Sequence, residues 1–216
     1  MSAPTTVRWL DRLAHDLRGP LTPLQTAAYL LRSGQVDGER QQELFIVIER
    51  QSRQLVRMID ELGDWSRAAN TRLLGHSEPC EISLLLEYAL TGAAADAATT
   101  VDNQATAAVV QGDPVRLTQL LRTLIEYVDS RSDSPVRITL HATGHHLCVD
   151  VRGSPAPDPA QLAIMLEEPQ AEPYDEGLGL RLLLARAIAE IHGGGLMAMA
   201  DEGCLLLRCE LPLVMG

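Results

Sequence analysis

Two runs near the amino terminus place apolar residues at alternating steps of three and four, and this spacing restricts the fold more than any other feature. The first run covers residues 5–32 and the second covers residues 39–69. Such steps keep apolar side chains along one side of a helix. The residues between the runs, 33–38, contain two glycines and break the pattern. The apolar stripes are Leu10, Leu13, Leu17, Leu21, Leu24, Ala28 and Leu31 in the first run, and Leu44, Ile48, Leu55, Met58, Leu62 and Trp65 in the second, with Gln51 as a polar member.

These runs predict an antiparallel hairpin of two long helices joined by a short turn. A single hairpin leaves much of its apolar stripe in contact with water, which is unfavourable. Two hairpins side by side form a four-helix bundle and cover that surface. The sequence therefore predicts a homodimer through residues 1–70.

The pattern changes after residue 70, and residues 71–79 form a predicted linker. Helices are then predicted at 83–94, 115–127 and 179–192, and strands at 107–110, 136–141, 147–151, 196–200 and 204–211. Three prolines mark residues 152–159 as a loop. Residues 80–216 are therefore predicted to form an α/β sandwich, in which one sheet carries helices on one face.

The charge of the chain excludes several kinds of partner. The net charge is −11 and no basic stripe is present, so the sequence predicts no binding to nucleic acid or to anionic membrane. All 18 basic residues are arginine, which rules out phosphate chemistry that depends on lysine. No apolar run reaches 18 residues, and no basic and then apolar leader is visible. We therefore expect a cytoplasmic protein that does not span a membrane.

The cysteines and the clustered histidines predict no metal site. The four cysteines form no Cys-x-x-Cys pair, and no histidine lies at zinc-finger spacing from them. Free buried thiols are the expectation. His141, His145 and His146 lie in and beside a predicted hairpin turn, and we interpret them as turn residues.

His15 lies between Leu13 and Leu17 of the first stripe, so we expect its ring to flank the apolar face and reach solvent. A neutral imidazole nitrogen is a good nucleophile toward phosphorus near neutral pH. Asp16 can accept a hydrogen bond from Nδ1, which fixes the tautomer and leaves Nε2 free to attack. Arg18 is three residues on and lies on the same helical side, where it can neutralise phosphoryl oxygens.

Residues 13–21 read Leu-Ala-His-Asp-Leu-Arg-Gly-Pro-Leu. This string resembles the phosphoacceptor box of bacterial sensor histidine kinases, in which His, an acidic residue, a Leu-Arg pair and a Pro-Leu pair follow in this order. The hairpin resembles the dimerisation and phosphotransfer domain of the same family. The resemblance implies that His15 accepts a phosphoryl group, with Asp16 and Arg18 beside it. Gly19 stands where many such kinases place the Thr or Asn that orients a hydrolytic water, which implies weak phosphatase activity.

The second half resembles the ATP-binding domain of these kinases in the order and spacing of its segments. Residues 112–121 are similar to the entry into the family's asparagine-rich helix, and residues 177–180 with 183–194 are similar to its last glycine box and helix. The nucleotide contacts depart from the family's pattern. The positions of the two asparagines that serve Mg²⁺ and phosphate hold Thr123 and Tyr127, while Glu126 matches an acidic position and Ser130 replaces a basic one.

The next nucleotide box departs further. Where the family has Asp-x-Gly-x-Gly, residues 153–157 read Gly-Ser-Pro-Ala-Pro, so the aspartate that recognises adenine is absent and both glycines are proline. Residues 156–175 leave little ATP lid. Gly177 and Gly179 are present, and they can either cradle phosphate or serve helix packing, which we favour. The resemblance implies a degenerate domain without ATP or another cofactor, and Mg²⁺ is expected on a partner protein.

Three functions fit this sequence. The first is a histidine phosphotransferase of a two-component phosphorelay, in which His15 exchanges phosphoryl groups with response-regulator Asp residues without ATP. The second is an ATP-dependent sensor histidine kinase, or its catalytic fragment, with a divergent nucleotide site. The third is a non-enzymatic scaffold, which becomes preferable if His15→Ala retains function. The first is favoured because it explains both the intact phosphoacceptor box and the lost nucleotide contacts.

Overall fold

The amino-terminal part of the chain is a hairpin of two helices in the computed structural model, which describes residues 3–34, 36–69, 73–92, 99–170 and 177–214. Helix α1 spans Ala3–Ser33 and helix α2 spans Gly38–Ala69, so both predicted helices are confirmed to within a few residues. Gly34 ends α1 with a φ of +67°, a conformation that favours glycine. Asp37 precedes α2 as its cap, because its carboxylate accepts a hydrogen bond from the Arg40 amide at 2.9 Å.

The apolar surface of the hairpin is only partly covered within one chain. Of the predicted stripes, Gln51 and Met58 are buried and most other described members are half-buried, whereas Leu21 and Ala28 are exposed. Ala27, which the prediction did not include, is buried in place of Ala28. Several large apolar side chains remain exposed on both helices, namely Tyr29, Phe45, Ile46, Val56 and Ile59. A second hairpin would cover such a surface, but the homodimer stays a prediction.

The second half is an α/β domain. Its strands are β1 (Glu78–Glu81), β2 (Thr100–Asn103), β3 (Val109–Gly112), β4 (Arg137–Thr143), β5 (His146–Gly153), β6 (Gly195–Asp201) and β7 (Cys204–Pro212). Its helices are α3 (Ile82–Gly92), α4 (Pro114–Asp129), α5 (Pro159–Ile164) and α6 (Arg181–Ile191). Five strands form one sheet in the order β2-β4-β5-β7-β6, and β1 pairs with β3 in a separate ribbon. Only the β2–β4 pair is parallel among these described strands.

One apolar core lies between the sheet and helices α3, α4 and α6. Alternate residues of β5 and β7 point into it, as their burial shows: Leu147, Val149 and Val151 on β5, and Leu205, Leu207, Cys209 and Leu211 on β7. Helix α4 contributes its buried side through Leu117, Leu120, Leu121, Leu124, Ile125 and Val128. The predicted hairpin followed by an α/β domain with helices on one face is therefore confirmed.

The main differences from the predicted elements concern the short ones. Strands β1 and β2 have four residues each and were absent from the prediction, because four residues give too few alternations to indicate a strand. The predicted strand at 107–110 begins two residues later, at Val109. Helix α5 starts directly after the proline-rich loop, where Asp158 caps it by accepting from the Gln161 amide at 2.8 Å.

Contacts between Cα atoms divide the chain into two compact units. The first holds α1, α2 as far as Gly63, and the turn of residues 177–179, and the second begins at Asp64 and holds the α/β domain. Asp64 accepts hydrogen bonds from Arg116 at 3.0 Å, Gln119 at 2.8 Å and Arg67 at 2.6 Å. Burial raises the pKa of Asp64, but these hydrogen bonds and the charge of Arg116 outweigh burial and hold the pKa below its ordinary value. The predicted division at residues 70 and 79 stays a prediction.

The predicted linker is held by the start of α4. The Arg116 Nε donates to the Leu73 carbonyl at 3.2 Å, and the Asp113 carboxylate accepts from the Gly75 amide at 2.8 Å. Asp113 also caps α4 through the amides of residues 115 and 116, and its own amide donates to His192 Nε2 at 3.0 Å. The string at residues 112–114 thus has a structural role, which requires no ligand.

All four cysteines are free thiols, as predicted. Cys80, Cys148 and Cys209 are buried, whereas Cys204 is partly exposed. Burial raises the pKa of Cys209 to about 12, so this thiol is protonated and unreactive at neutral pH. Across the part of the chain that the structure describes, no helix is both long enough and apolar enough to cross a bilayer.

Candidate phosphoacceptor site

His15 stands out from the middle of α1 with 87% of its side chain exposed, which confirms the predicted exposure. Its Nδ1 lies 3.2 Å from Oδ1 of Asp16, whose side chain is 31% exposed. A carboxylate can only accept a hydrogen bond, so this contact favours the tautomer that carries its proton on Nδ1. Nε2 then keeps its lone pair, and the exposed ring presents that lone pair to an approaching molecule.

The other predicted residues of this site lie on the same turns of α1. Arg18 is exposed, and no hydrogen bond links its guanidinium to another of the described residues. Its carbonyl accepts a hydrogen bond from the Thr22 hydroxyl at 3.3 Å. A Cβ placed on Gly19 would meet nothing within 4 Å, so the absence of a side chain there is not imposed by packing. The structure therefore brings His15 and Asp16 into contact and leaves Arg18 free to reach a bound anion.

The residues at the predicted metal and phosphate positions lie on α4. Tyr127 is 3% exposed, and the Arg131 guanidinium lies 4.7 Å from the centre of its ring. Glu126 forms an ion pair with Arg181, which joins α4 to the start of α6. A buried phenol does not supply the amide oxygen that the resemblance calls for at position 127, and Glu126, which matches the family's acidic position, is already paired with arginine. These side chains do not match what an Mg²⁺–nucleotide complex needs.

The box at residues 153–157 is held against the end of α4. The Ser132 hydroxyl accepts from the Ser154 amide at 3.0 Å, and the Asp133 amide donates to the Ser154 carbonyl at 2.7 Å. A Cβ on Gly153 would lie 2.8 Å from the Ser132 oxygen, which leaves no space for a side chain. No carboxylate occupies the position of the adenine-reading aspartate, so this box does not fit an adenine ring either.

The glycine turn at residues 177–179 has a partner that sequence reasoning missed. The Leu178 amide donates to Oε2 of Glu61 at 2.8 Å, and both residues belong to the first compact unit. These residues are 117 positions apart, and nothing in the pattern around Glu61 indicates the contact. In the described part of the chain, no three His, Cys, Asp or Glu residues are grouped so that they could hold a metal ion.

Comparisons with known proteins agree with this geometry. The family model for the His Kinase A (phospho-acceptor) domain matches residues 7–71, which include His15. The adaptive-response sensory kinase SasA of Parasynechococcus marenigrum is 29% identical in an alignment of 207 positions that covers 91% of this chain and 54% of the relative. The Acinetobacter baumannii histidine kinase AdeS shares the fold with a TM-score of 0.70 at 19% identity, over 93% of this chain and 98% of the AdeS chain. The chain is a histidine kinase-like protein.

Other relatives are similar to this histidine kinase-like protein over most of its length. The sensor protein ChvG of Agrobacterium fabrum is 28% identical over 86% of this chain and 34% of the relative. The histidine kinase ThkA, in its crystal structure with the response regulator TrrA, has a TM-score of 0.74 at 20% identity and covers 95% of this chain and 61% of the ThkA chain. The chain spans about half or less of the length of the first curated relatives it matches. The family match over residues 7–71 and the likeness over nearly the whole chain together indicate a phosphoacceptor domain followed by an ATPase-like domain.

Proposed function

We propose that this chain is a histidine phosphotransferase of a two-component phosphorelay and that it works without ATP. His15 takes a phosphoryl group from the aspartate of one response regulator and gives it to the aspartate of another. The observation that carries the proposal is the contrast between the two sites. The phosphoacceptor ring is exposed and hydrogen-bonded to Asp16, whereas Tyr127 and Glu126 at the nucleotide positions are engaged in contacts within the domain.

The transfer step needs only groups that His15 and its partner supply. The Nε2 lone pair attacks phosphorus, an N–P bond forms, and the P–O bond to the regulator's aspartate breaks to release its carboxylate. The Nδ1 proton stays hydrogen-bonded to Asp16, which stabilises the positive charge that develops on the ring. Arg18 neutralises the phosphoryl oxygens, and the regulator's own acidic pocket holds Mg²⁺. The reverse sequence of steps donates the group to a second regulator.

The homodimer is part of the proposal. Tyr29, Phe45, Ile46, Val56 and Ile59 leave a large apolar area of the hairpin exposed, and each buried aliphatic side chain of this size stabilises an interface by about 1.5–3 kcal/mol. A second copy of the hairpin covers this area in a four-helix bundle. Each bundle then presents two copies of His15 to regulators. Cytoplasmic placement follows from these partners and belongs to the same proposal.

One second candidate has specific support. The relatives SasA and ChvG are named as a sensory kinase and a sensor protein, and the ATPase-like fold is retained. An ATP-dependent kinase with unusual nucleotide contacts would also keep the phosphoacceptor box. This candidate leaves the residues at positions 123, 127 and 153–157 without an explanation, and for that reason we rank it second.

A labelling experiment with two phosphoryl donors separates these functions. The purified chain is incubated with Mg²⁺ and γ-labelled ATP, and separately with receiver domains that carry labelled aspartyl phosphate. We expect label on the chain only from a receiver domain, with the acid lability of an N–P bond. His15→Gln should abolish the label, while His145→Gln, which changes an exposed turn histidine, should not.

Each other outcome contradicts the proposal in a different way. Label from ATP in the absence of any receiver domain would establish the kinase instead. Label from neither donor, across the receiver domains encoded in the same genome, would favour a scaffold. Label that survives His15→Gln would place the phosphoacceptor elsewhere.

A further inference from the structure

The glycine turn before α6 already holds an anion that belongs to the chain. The Glu61 carboxylate accepts the hydrogen bond of the Leu178 amide through Oε2 at 2.8 Å. A carboxylate that accepts from a backbone amide makes a charge-assisted hydrogen bond, which is stronger than a neutral one. The amide is therefore in use, although the sequence left open whether this turn binds phosphate or only packs.

The fit around Gly177 shows how closely the carboxylate approaches. A Cβ at this position would lie 2.8 Å from Cδ of Glu61 and 3.0 Å from Oε2, and it would overlap with Oε1. A side chain at position 177 would therefore displace the carboxylate of Glu61 from this position. A backbone amide that faces an anion is the arrangement of an anion-binding turn, and here the anion is internal.

We propose that Glu61 is a built-in occupant of the glycine turn and that its carboxylate excludes external phosphate groups from the Leu178 amide. The exclusion has two physical causes. The carboxylate occupies the space beside Gly177, and its negative charge repels a phosphate group that approaches the same position. The external ligands that would compete with Glu61 for the Leu178 amide are inorganic phosphates and the phosphates of nucleotides.

The inference rests on the proposed function only in treating ATP as unused, and its test has a different readout. Hydrogen exchange and the chemical shift of the Leu178 amide are followed by NMR in the full chain. Glu61→Ala should speed exchange at this amide by roughly 10- to 100-fold, the factor that corresponds to a hydrogen bond to a charged group. Asp60→Ala, which changes the exposed neighbour on α2, should leave the exchange rate unchanged.

Pyrophosphate serves as the probe for an external anion. We expect it to shift the Leu178 amide resonance in Glu61→Ala and to leave the wild-type resonance in place at the same concentration. Glu61→Gln keeps the size of the side chain without its charge, so its exchange rate and its response to pyrophosphate should lie between these two. Gly177→Ala displaces the carboxylate from the other side and should also speed exchange at Leu178, which provides a second variant if Glu61→Ala does not fold.

Several results would overturn the inference. Unchanged exchange at Leu178 in both Glu61→Ala and Gly177→Ala would mean that the hydrogen bond does not protect this amide. Equal shifts by pyrophosphate in wild type and Glu61→Ala would mean that the carboxylate excludes nothing. Faster exchange without any pyrophosphate shift in Glu61→Ala would mean that the turn does not accept phosphate. Label transfer between His15 and receiver domains can succeed or fail independently of all three.

Discussion

The helical hairpin and the α/β domain differ in their net charge and in whether their polar side chains are exposed or paired. Residues 1–63 carry eight acidic residues and eight arginines, whereas residues 64–216 carry 21 acidic residues and ten arginines, so the whole charge of −11 lies in the second part. In the hairpin, the side chain of His15, the proposed phosphoacceptor, is 87% exposed. In the α/β domain, Glu126 and Asp150 are held in ion pairs with arginines, the second of them by a bidentate contact of 2.6 and 2.7 Å.

This difference indicates that the surface left open to other molecules and the apolar core of the α/β domain lie in different parts of the chain. The hairpin leaves both its imidazole and a large apolar area open to other molecules. The α/β domain packs an apolar core between its sheet and its own helices, and ion pairs tie several of its polar groups to each other. We therefore expect changes in the hairpin to alter transfer and association, and changes in the α/β domain to alter folding stability. Four predictions test this separation.

The largest expected effect is on the core of the α/β domain. Leu124→Ala removes a fully buried side chain of α4 and should lower the free energy of unfolding by about 2–5 kcal/mol. Urea denaturation followed by circular dichroism measures this loss. Leu84 lies on α3 with 46% of its surface exposed, so Leu84→Ala should change the free energy of unfolding by less than about 0.5 kcal/mol. His15→Gln should also leave the free energy of unfolding unchanged. A large loss in this variant would contradict the expectation that changes in the hairpin do not alter folding stability.

The next effect concerns the polar contacts at the end of α2. Asp64→Asn replaces the charged acceptor of Arg116 and should cost about 1.5–3 kcal/mol at pH 7. Because folding lowers the pKa of Asp64, its stabilisation is fully present above its unfolded pKa, near 3.8, and is lost as the pH falls through the folded value. The wild type should thus lose stability more steeply than Asp64→Asn below pH 4. Parallel pH profiles, with exposed Asp60→Asn as the reference, would contradict this assignment.

A smaller effect is expected on association through the hairpin. Ile59→Ala reduces the exposed apolar surface of α2 and should weaken the proposed dimer by about 1–2 kcal/mol in total, roughly tenfold in its dissociation constant. Analytical ultracentrifugation across a concentration series measures this change. Arg53→Ala, an exposed polar position of the same helix, serves as the control. A wild-type chain that stays monomeric at every concentration would remove the dimer from the proposal.

The smallest effect is expected at the partner of the phosphoacceptor. Asp16→Asn weakens the hydrogen bond to Nδ1 and should slow phosphoryl transfer by at most about tenfold, since the exposed pair contributes about 1 kcal/mol. The initial rate of label transfer from a phosphorylated receiver domain measures it. The final extent of labelling should be unchanged. A loss as complete as that of His15→Gln would show that Asp16 does more than orient the ring.

Much of the fold was predictable because its long elements repeat a simple period. Both long helices, the helices at 115–127 and 179–192, and the strands at 136–141, 147–151, 196–200 and 204–211 match the observed elements closely. Strands β1 and β2 escaped prediction because a four-residue strand is stabilised by its neighbours rather than by its own pattern. Their pairing partners lie 28 to 37 residues away, so no local signal contained them.

The sequence alone predicted that His15 projects from a helix next to Asp16 and on the same side as Arg18, because residues three positions apart share a side of a helix. It also determined that the asparagines and the adenine-reading aspartate of the family are absent, since residue identity needs no coordinates. Only the tertiary structure showed which contacts are made near these positions, namely the Glu126–Arg181 ion pair on α4 and the Glu61 carboxylate at the glycine turn. These two contacts join residues that are separated by 55 and by 117 positions in the sequence. They depend on how the helices and strands pack, and local periodicity carries no information about that packing.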